Sequence, residues 1–191
     1  KIFKPKQGFY VIVRSEDRKM GAPPAKEFID YLMDYLDEPY YVGILSAAQI
    51  HGSAHHAPQV FQVVTENALN DIEKGRQSIE FIKNKNLDEV PVERKKTRTG
   101  YIQVSTPEAT VVDVVNYRKH AAGLDNVANI IIEMAEELDP SKLFEAAVRM
   151  HGTATVQRLG FILDKYGFKQ LSDPLESWIR NQDVTRVPLL P

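Results

Sequence analysis

Cysteine is absent from this chain of 191 residues. That removes disulfides, thiolate metal sites and cysteine nucleophiles together, and it fits a reducing compartment, so a cytoplasmic location is expected. No apolar run approaches the ~18 residues that a membrane-spanning helix needs, so no membrane partner is expected. The opening carries Lys1, Lys4 and Lys6 but no apolar stretch of signal-peptide length behind them. Neither sign of charge dominates: 24 Lys and Arg against 26 Asp and Glu leave a net charge of −2, so any surface for nucleic acid must be a local patch. The ten glycines stand singly, where turns and helix caps would use them. There is no glycine-rich phosphate loop and no nucleophile elbow.

What is present is enough chain for one substantial core. Ile2-Phe3 reads as the stub of a strand, Pro5 to Gly8 as a turn, and Phe9 to Val13 as a second strand. A hairpin lacking half its first strand, with no initiator Met, is expected to be the end of a fold that begins upstream. Ser15 to Pro24 is polar with Gly21 and two prolines and reads as a linker. Apolar residues recur at helical spacing over Ala25–Glu38, which Pro39 stops. Val42–Ile50 is apolar on nearly all sides and reads as a buried helix. Strands are expected at Val60–Thr65, Gln77–Ile82, Val90–Lys95 and Tyr101–Val104.

Thr106-Pro107-Glu108 combines an N-cap, a first-turn proline and a first-turn acid, so a helix is expected from there to about Val115. Amphipathic stretches follow at Leu124–Leu138, Ser141–Met150 and Thr153–Tyr166, with Gly167 as a C-terminal cap. A shorter helix over Leu171–Arg180 and a loose tail over Val187–Pro191 complete the sequence. The fold class read from this is α+β: a mixed β-sheet covered by helices, with a C-terminal helical stretch.

Four constellations invite a chemical reading. His51, His55 and His56 have spacing that a metal site could use, but Gly52 and Ser53 end helices and no acid lies between Ile44 and Thr65. A polar loop capping a buried helix is the plainer account, and no metal or cofactor is expected. Glu93-Arg94-Lys95 spells the acid-x-lysine of Mg²⁺-dependent nuclease sheets, with Asp71, Glu73 or Glu80 as the second acid. That tripeptide is common, and this one sits on a heavily charged, edge-like strand. Two basic clusters remain as phosphate contacts: Lys1, Lys4, Lys6 and Arg14 around the terminal hairpin, and Lys95, Lys96 and Arg98 in the sheet region. A basic hairpin is what the wing of a winged helix presents to a DNA backbone.

Three ordered segments resemble one family. They are the hairpin ending K-Q-G-F-Y-V-I-V with its G-A-P-P linker; Tyr40 to Gly52 (Y-Y-V-G-I-L-S-A-A-Q-I-H-G) followed by Pro58 to Thr65 (P-Q-V-F-Q-V-V-T); and Ser105 to Asp113 (S-T-P-E-A-T-V-V-D). Together they resemble the AbiEi antitoxins and transcriptional regulators of abortive-infection type IV toxin–antitoxin systems, over most of residues 8 to 166. The resemblance implies a winged helix that represses its own operon and a C-terminal domain required for antitoxicity. It implies operator DNA as one partner. The other is a nucleotidyltransferase-like toxin, countered without a stable complex.

Only Lys1 to Val13 matches the DNA-binding part, and the recognition helix is absent from this sequence. The partition expected is therefore 1–14 as wing remnant, 15–24 as linker and 25–191 as antitoxin domain, with no catalytic residue. The C-terminal domains of such proteins have been likened to restriction-endonuclease sheets, so Glu93-x-Lys95 could echo one; fold likeness carries no activity. Two alternatives stay open: a metal-dependent phosphodiester enzyme, and a plain interaction domain docking through Leu124–Tyr166.

Overall fold

The computed structural model describes residues 1–53 and 59–189. Strands β1 (Ile2–Lys6) and β2 (Phe9–Ile12) form an antiparallel hairpin in which Ile2 faces Ile12 and Phe3 faces Val11. Its turn needs Gly8, whose φ is +82° and where a Cβ would collide with the Tyr35 hydroxyl. A single 3₁₀ turn follows at Glu16–Lys19 and another at Ala25–Glu27, before helix α1 (Ile29–Tyr35). The helix expected over Ala25–Glu38 is thus broken at Phe28. That residue leaves helical geometry (φ −135°, ψ −5°) and packs edge-on against Phe3.

The main sheet has six strands in the order β5-β6-β4-β3-β8-β7. They are β3 (Tyr40–Val42), β4 (Phe61–Thr65), β5 (Ile72–Lys74), β6 (Gln77–Lys83), β7 (Val92–Lys96) and β8 (Tyr101–Ser105). β4 runs parallel to β6 and β3 parallel to β8, while the remaining pairs are antiparallel. The α+β class is therefore correct, and the sheet is mixed as expected. Strand β3 replaces the start of the helix expected at Val42; helix α2 (Ile44–Ile50) begins only beyond Gly43.

Strand alternation distributes side chains between two cores. Tyr41, Val64 and Ile82 join the first, and Val42, Val63 and Phe81 the second. The second core also takes in Phe3 and Val13 of the hairpin, Ala22 of the following segment, and Phe28, Ile29, Leu32 and Met33. The segment read as a linker is therefore packed on the domain, with Ala22 and Asp17 both buried.

Five helices build on the first core. α3 (Pro107–Asn116) starts as expected, with the Thr106 hydroxyl accepting the Ala109 N–H. Its eight residues from Glu108 to Val115 are all buried, because it lies beneath α2 and is covered in turn by α4 (Leu124–Met134), α5 (Pro140–Met150) and α6 (Thr153–Lys165). Helix α7 (Lys169–Arg180) packs along α6. Of the tail expected to be loose, residues 190–191 lie outside the described residues, while Val187 to Leu189 is held: Leu189 packs against the core, and Gln157 and Arg158 bind the backbone of the segment from Thr185 on.

Gly160 sits inside α6 with no unusual backbone requirement, and a Cβ there would meet Leu175 Cβ at an ordinary 3.7 Å. Glycine in a helix interior costs conformational entropy. Gly160→Ala should raise stability by about 0.5–1 kcal/mol, read as a higher denaturant midpoint with unchanged slope.

Candidate functional site

The hairpin presents a mixed apolar and basic face. Ile2, Tyr10 and Ile12 are exposed, and the Lys4 ammonium lies 5.2 Å from the centre of the Tyr10 ring. Lys1, Lys4 and Arg14 are exposed and Lys6 is half-buried, its ammonium reaching the Asn70 carbonyl at 3.4 Å. Lys74 returns the contact, donating to the Lys4 carbonyl at 2.8 Å, so the hairpin is tied to the β5 edge of the sheet.

The second basic cluster occupies the opposite edge. Lys96 is exposed, and Arg94 stacks on Tyr101 at 4.6 Å. Lys95 lies 2.8 Å from Glu93, both side chains partly exposed. Arg98 acts as a structural tie, because its guanidinium meets Glu16 at 2.9 Å, Glu27 at 3.2 Å and Asp17 at 3.6 Å. The Thr99 hydroxyl adds a bond to the Glu27 carbonyl at 2.6 Å. This clamp fastens the segment between hairpin and α1 to the β7–β8 turn. The Glu27 hydrogen bond is the main cause of the raised Arg98 pKa. Arg98→Ala should release the segment, and trypsin should then cut after Arg18 or Lys19 markedly faster while the overall far-ultraviolet spectrum stays the same.

The acids named for a nuclease site are not brought together. Asp71, Glu73 and Glu80 lie on or beside β5 and β6, whereas Glu93 lies on β7 at the far edge. Four strand spacings between β6 and β7 amount to roughly 19 Å, far beyond the few ångströms across which two carboxylates share one Mg²⁺. Two of these acids also have other work. Asp71 accepts the Phe81 N–H at 2.9 Å, and Glu80 meets His120 at 2.7 Å and Gln62 at 3.0 Å.

His51 caps the end of α2, its Nε2 bonded to the Ser105 carbonyl at 2.7 Å and its Nδ1 3.8 Å from Glu93. The other two histidines of that reading, His55 and His56, lie outside the described residues. Among the described residues, no cluster of three His, Asp or Glu side chains is placed to hold a metal. No described helix is long and apolar enough to cross a membrane.

The feature that sequence reading missed is a buried polar node on α3. Asp113 is fully enclosed and receives His151 Nε2 at 3.1 Å. The His151 ring stands edge-on to Tyr117 at 5.4 Å, and the Thr155 hydroxyl donates to Asn116 at 3.1 Å. The second Asp113 oxygen, the Tyr41 hydroxyl and the Asn84 amide nitrogen are buried with no hydrogen-bond partner among the described residues. Burial pushes the Asp113 carboxyl above its ordinary pKa, with His151 pulling the other way. Burial likewise raises the Tyr41 phenol, and the Asp113 charge adds to it. The signal was a single acid flanked on both sides by paired valines in Val111–Val115. The node joins β3, α3, the residue that ends α5 and the first turn of α6 through side chains buried between them.

Residues 41–165, which include Tyr41, Asp113 and His151, match the family described as the AbiEi antitoxin C-terminal domain. The chain belongs to that family. The AbiEi domain thus covers the six-stranded sheet from β3 onward together with helices α2 to α6, and the hairpin and α1 precede it. No curated protein matches the sequence.

Two solved structures share the fold. The RV2827C protein from Mycobacterium tuberculosis superposes with a TM-score of 0.61 at 13% identity, over 98% of this chain and 67% of its own. An antigenic nucleotidyltransferase-like protein from Paracoccidioides brasiliensis gives 0.53 at 11% identity, over 86% of this chain and 94% of its own. At such identities the likeness is one of architecture.

Proposed function

We propose that this AbiEi protein is the antitoxin domain of an autoregulatory repressor from a type IV toxin–antitoxin system, carrying the wing of its DNA reader. The observation that carries the reading is the family match over residues 41–165, preceded in the chain by a hairpin with an exposed basic and aromatic face. In this reading Lys1, Lys4, Lys6 and Arg14 meet operator phosphates, with Lys95 and Lys96 as a secondary patch and Arg98 kept for the clamp. The partner countered is a nucleotidyltransferase-like toxin, acted against in the cytoplasm without a stable complex. In this reading the domain works as a regulator and not as an enzyme, which membership of the antitoxin family supports.

Co-expression with the toxin encoded beside it tests the antitoxin role: growth should be restored, and continued arrest with soluble domain present would refute it. Gel-shift titration at two salt concentrations tests the DNA role. A form that carries a complete winged helix should bind its promoter with steep salt dependence, and this chain weakly and without sequence preference. Tight, specific binding by this chain alone would overturn that part.

A further inference from the structure

Helices α6 and α7 leave a groove between them that encloses about 580 Å³. Val156, Gly160, Leu175 and Ile179 form its apolar floor, and Phe161, with half of its surface exposed, stands at its rim. One end is covered. Beyond α7 the backbone turns back without regular structure, and residues 183–189 lie over the first turns of α6.

The manner of holding is informative. The Gln157 carboxamide donates Nε2–H to the Thr185 carbonyl at 3.0 Å and accepts the Val187 N–H on Oε1 at 3.1 Å. One side chain thereby satisfies a C=O and an N–H two residues apart, as a neighbouring β-strand would. Arg158 donates to the Pro188 carbonyl at 3.2 Å. All these contacts read backbone, so they fix the register of an extended segment while tolerating many sequences. Selectivity falls to the side chains that turn inward. Val184, Val187 and Leu189 are half-buried, and Thr185, Arg186 and Pro188 are exposed or nearly so.

The strap is also lightly held. None of residues 183–189 is fully buried, and the groove continues past it toward Phe161 and Asp164. A groove that grips backbone, floors it with aliphatic side chains and remains partly open is built for a peptide.

We propose that the α6–α7 groove is a docking site for an extended segment of a partner protein, and that residues 183–189 occupy it in cis until displaced. The partner segment has branched aliphatic residues at positions equivalent to Val187 and Leu189, and a free backbone carbonyl and amide in register with Gln157. The tethered strap competes at the high effective concentration of an intramolecular ligand, roughly millimolar for a short flexible connection. Entry of the partner is thus regulated by the protein itself. The inference stands independently of the DNA and toxin reading, since it uses only the helical end of the domain.

The test is titration of a fluorescent peptide spanning residues 183–189 against the intact protein and against Val187→Asp/Leu189→Asp, which expels the strap without removing it. The variant should bind the peptide at least tenfold more tightly than the intact protein. Adding Gln157→Ala to the variant should weaken that binding at least fivefold. Equal binding by intact and variant proteins, no binding by a folded variant, or indifference to Gln157→Ala would each overturn the proposal.

Should the double variant not fold, amide exchange in the intact protein decides. The Val187 N–H should exchange through local opening, at least a hundredfold faster than the amides of Leu159 and Ile162. Protection equal to theirs would show the strap to be a fixed part of the core and sink the idea.

Discussion

His151→Leu should destabilise the protein by about 3–5 kcal/mol at neutral pH, because it strips the partner from a carboxylate that is wholly buried. Leucine keeps much of the volume and the contact with Tyr117, so the loss reads the polar interaction more than a cavity. The pH dependence separates the two. Asp113 is held above its ordinary pKa by burial, so the folded state keeps this proton to higher pH than the unfolded state does. As pH rises from about 4, the unfolded state loses the proton first, and the stability this group contributes falls until pH passes the folded-state value. The steepest fall is about 1.4 kcal/mol per pH unit for one proton.

Without His151 one influence that lowers the Asp113 pKa is gone, so the falling window extends further upward. The penalty of His151→Leu should accordingly be smallest near pH 4 and grow as pH rises. Asp113→Asn should flatten the slope in both backgrounds, since the amide stays neutral and still offers an oxygen to His151. Urea unfolding of the four proteins between pH 4 and 8 provides the check. A penalty independent of pH would mean that packing alone is lost.

Gly43→Ala should cost about 1–3 kcal/mol, with the upper end favoured by how little its surroundings can yield. A Cβ at this position would sit 2.8 Å from Tyr41 Cε2, 2.9 Å from Val64 Cγ2 and 3.3 Å from Asp113 Oδ2. Tyr41 and Val64 are buried in the first core, and Tyr41 is on the strand that enters the turn. The glycine is needed for space here and not for its backbone freedom, since its own φ is an ordinary −128°. Strain falls on the next residue: Ile44 has φ +52°, a left-handed conformation that a β-branched side chain rarely accepts. The strand therefore turns into α2 at a point with no slack on either side. Val64→Ala should relieve part of the clash, so the double variant should lose less than the sum of the two single losses. Strict additivity in thermal or urea melts would show that Val64 is not the obstacle.

Local chemistry made some elements legible and not others. The start of α3 was readable because Thr106, Pro107 and Glu108 carry the whole instruction within three residues. Strand β3 was not. Wedged between β4 and β8 with both faces covered, it loses the alternation that marks a half-exposed strand and merges with the apolar helix after it. Strand β5, with only Ile72, Glu73 and Lys74, is too short to show a pattern. Polar composition made residues 15–24 look like a linker because the partner that pins them, Arg98, is 82 residues beyond Glu16.

The same nonlocality hid the candidate site. Glu93 and Lys95 are close in sequence and in space, but the acids needed beside them are carried to the other edge by strand order, which the sequence does not display. Asp113 and His151 stand 38 positions apart and meet only because α5 returns over α3.

The sharing of one core by Phe3, Val13, Ala22 and the second face of the sheet has a consequence for how the hairpin moves. A hairpin on a free tether would swing independently of the sheet. One whose underside is packed on Phe28 behaves as a bracket welded to the domain it carries. Whatever the hairpin's exposed face touches, the sheet and its helices are carried along at a set bearing.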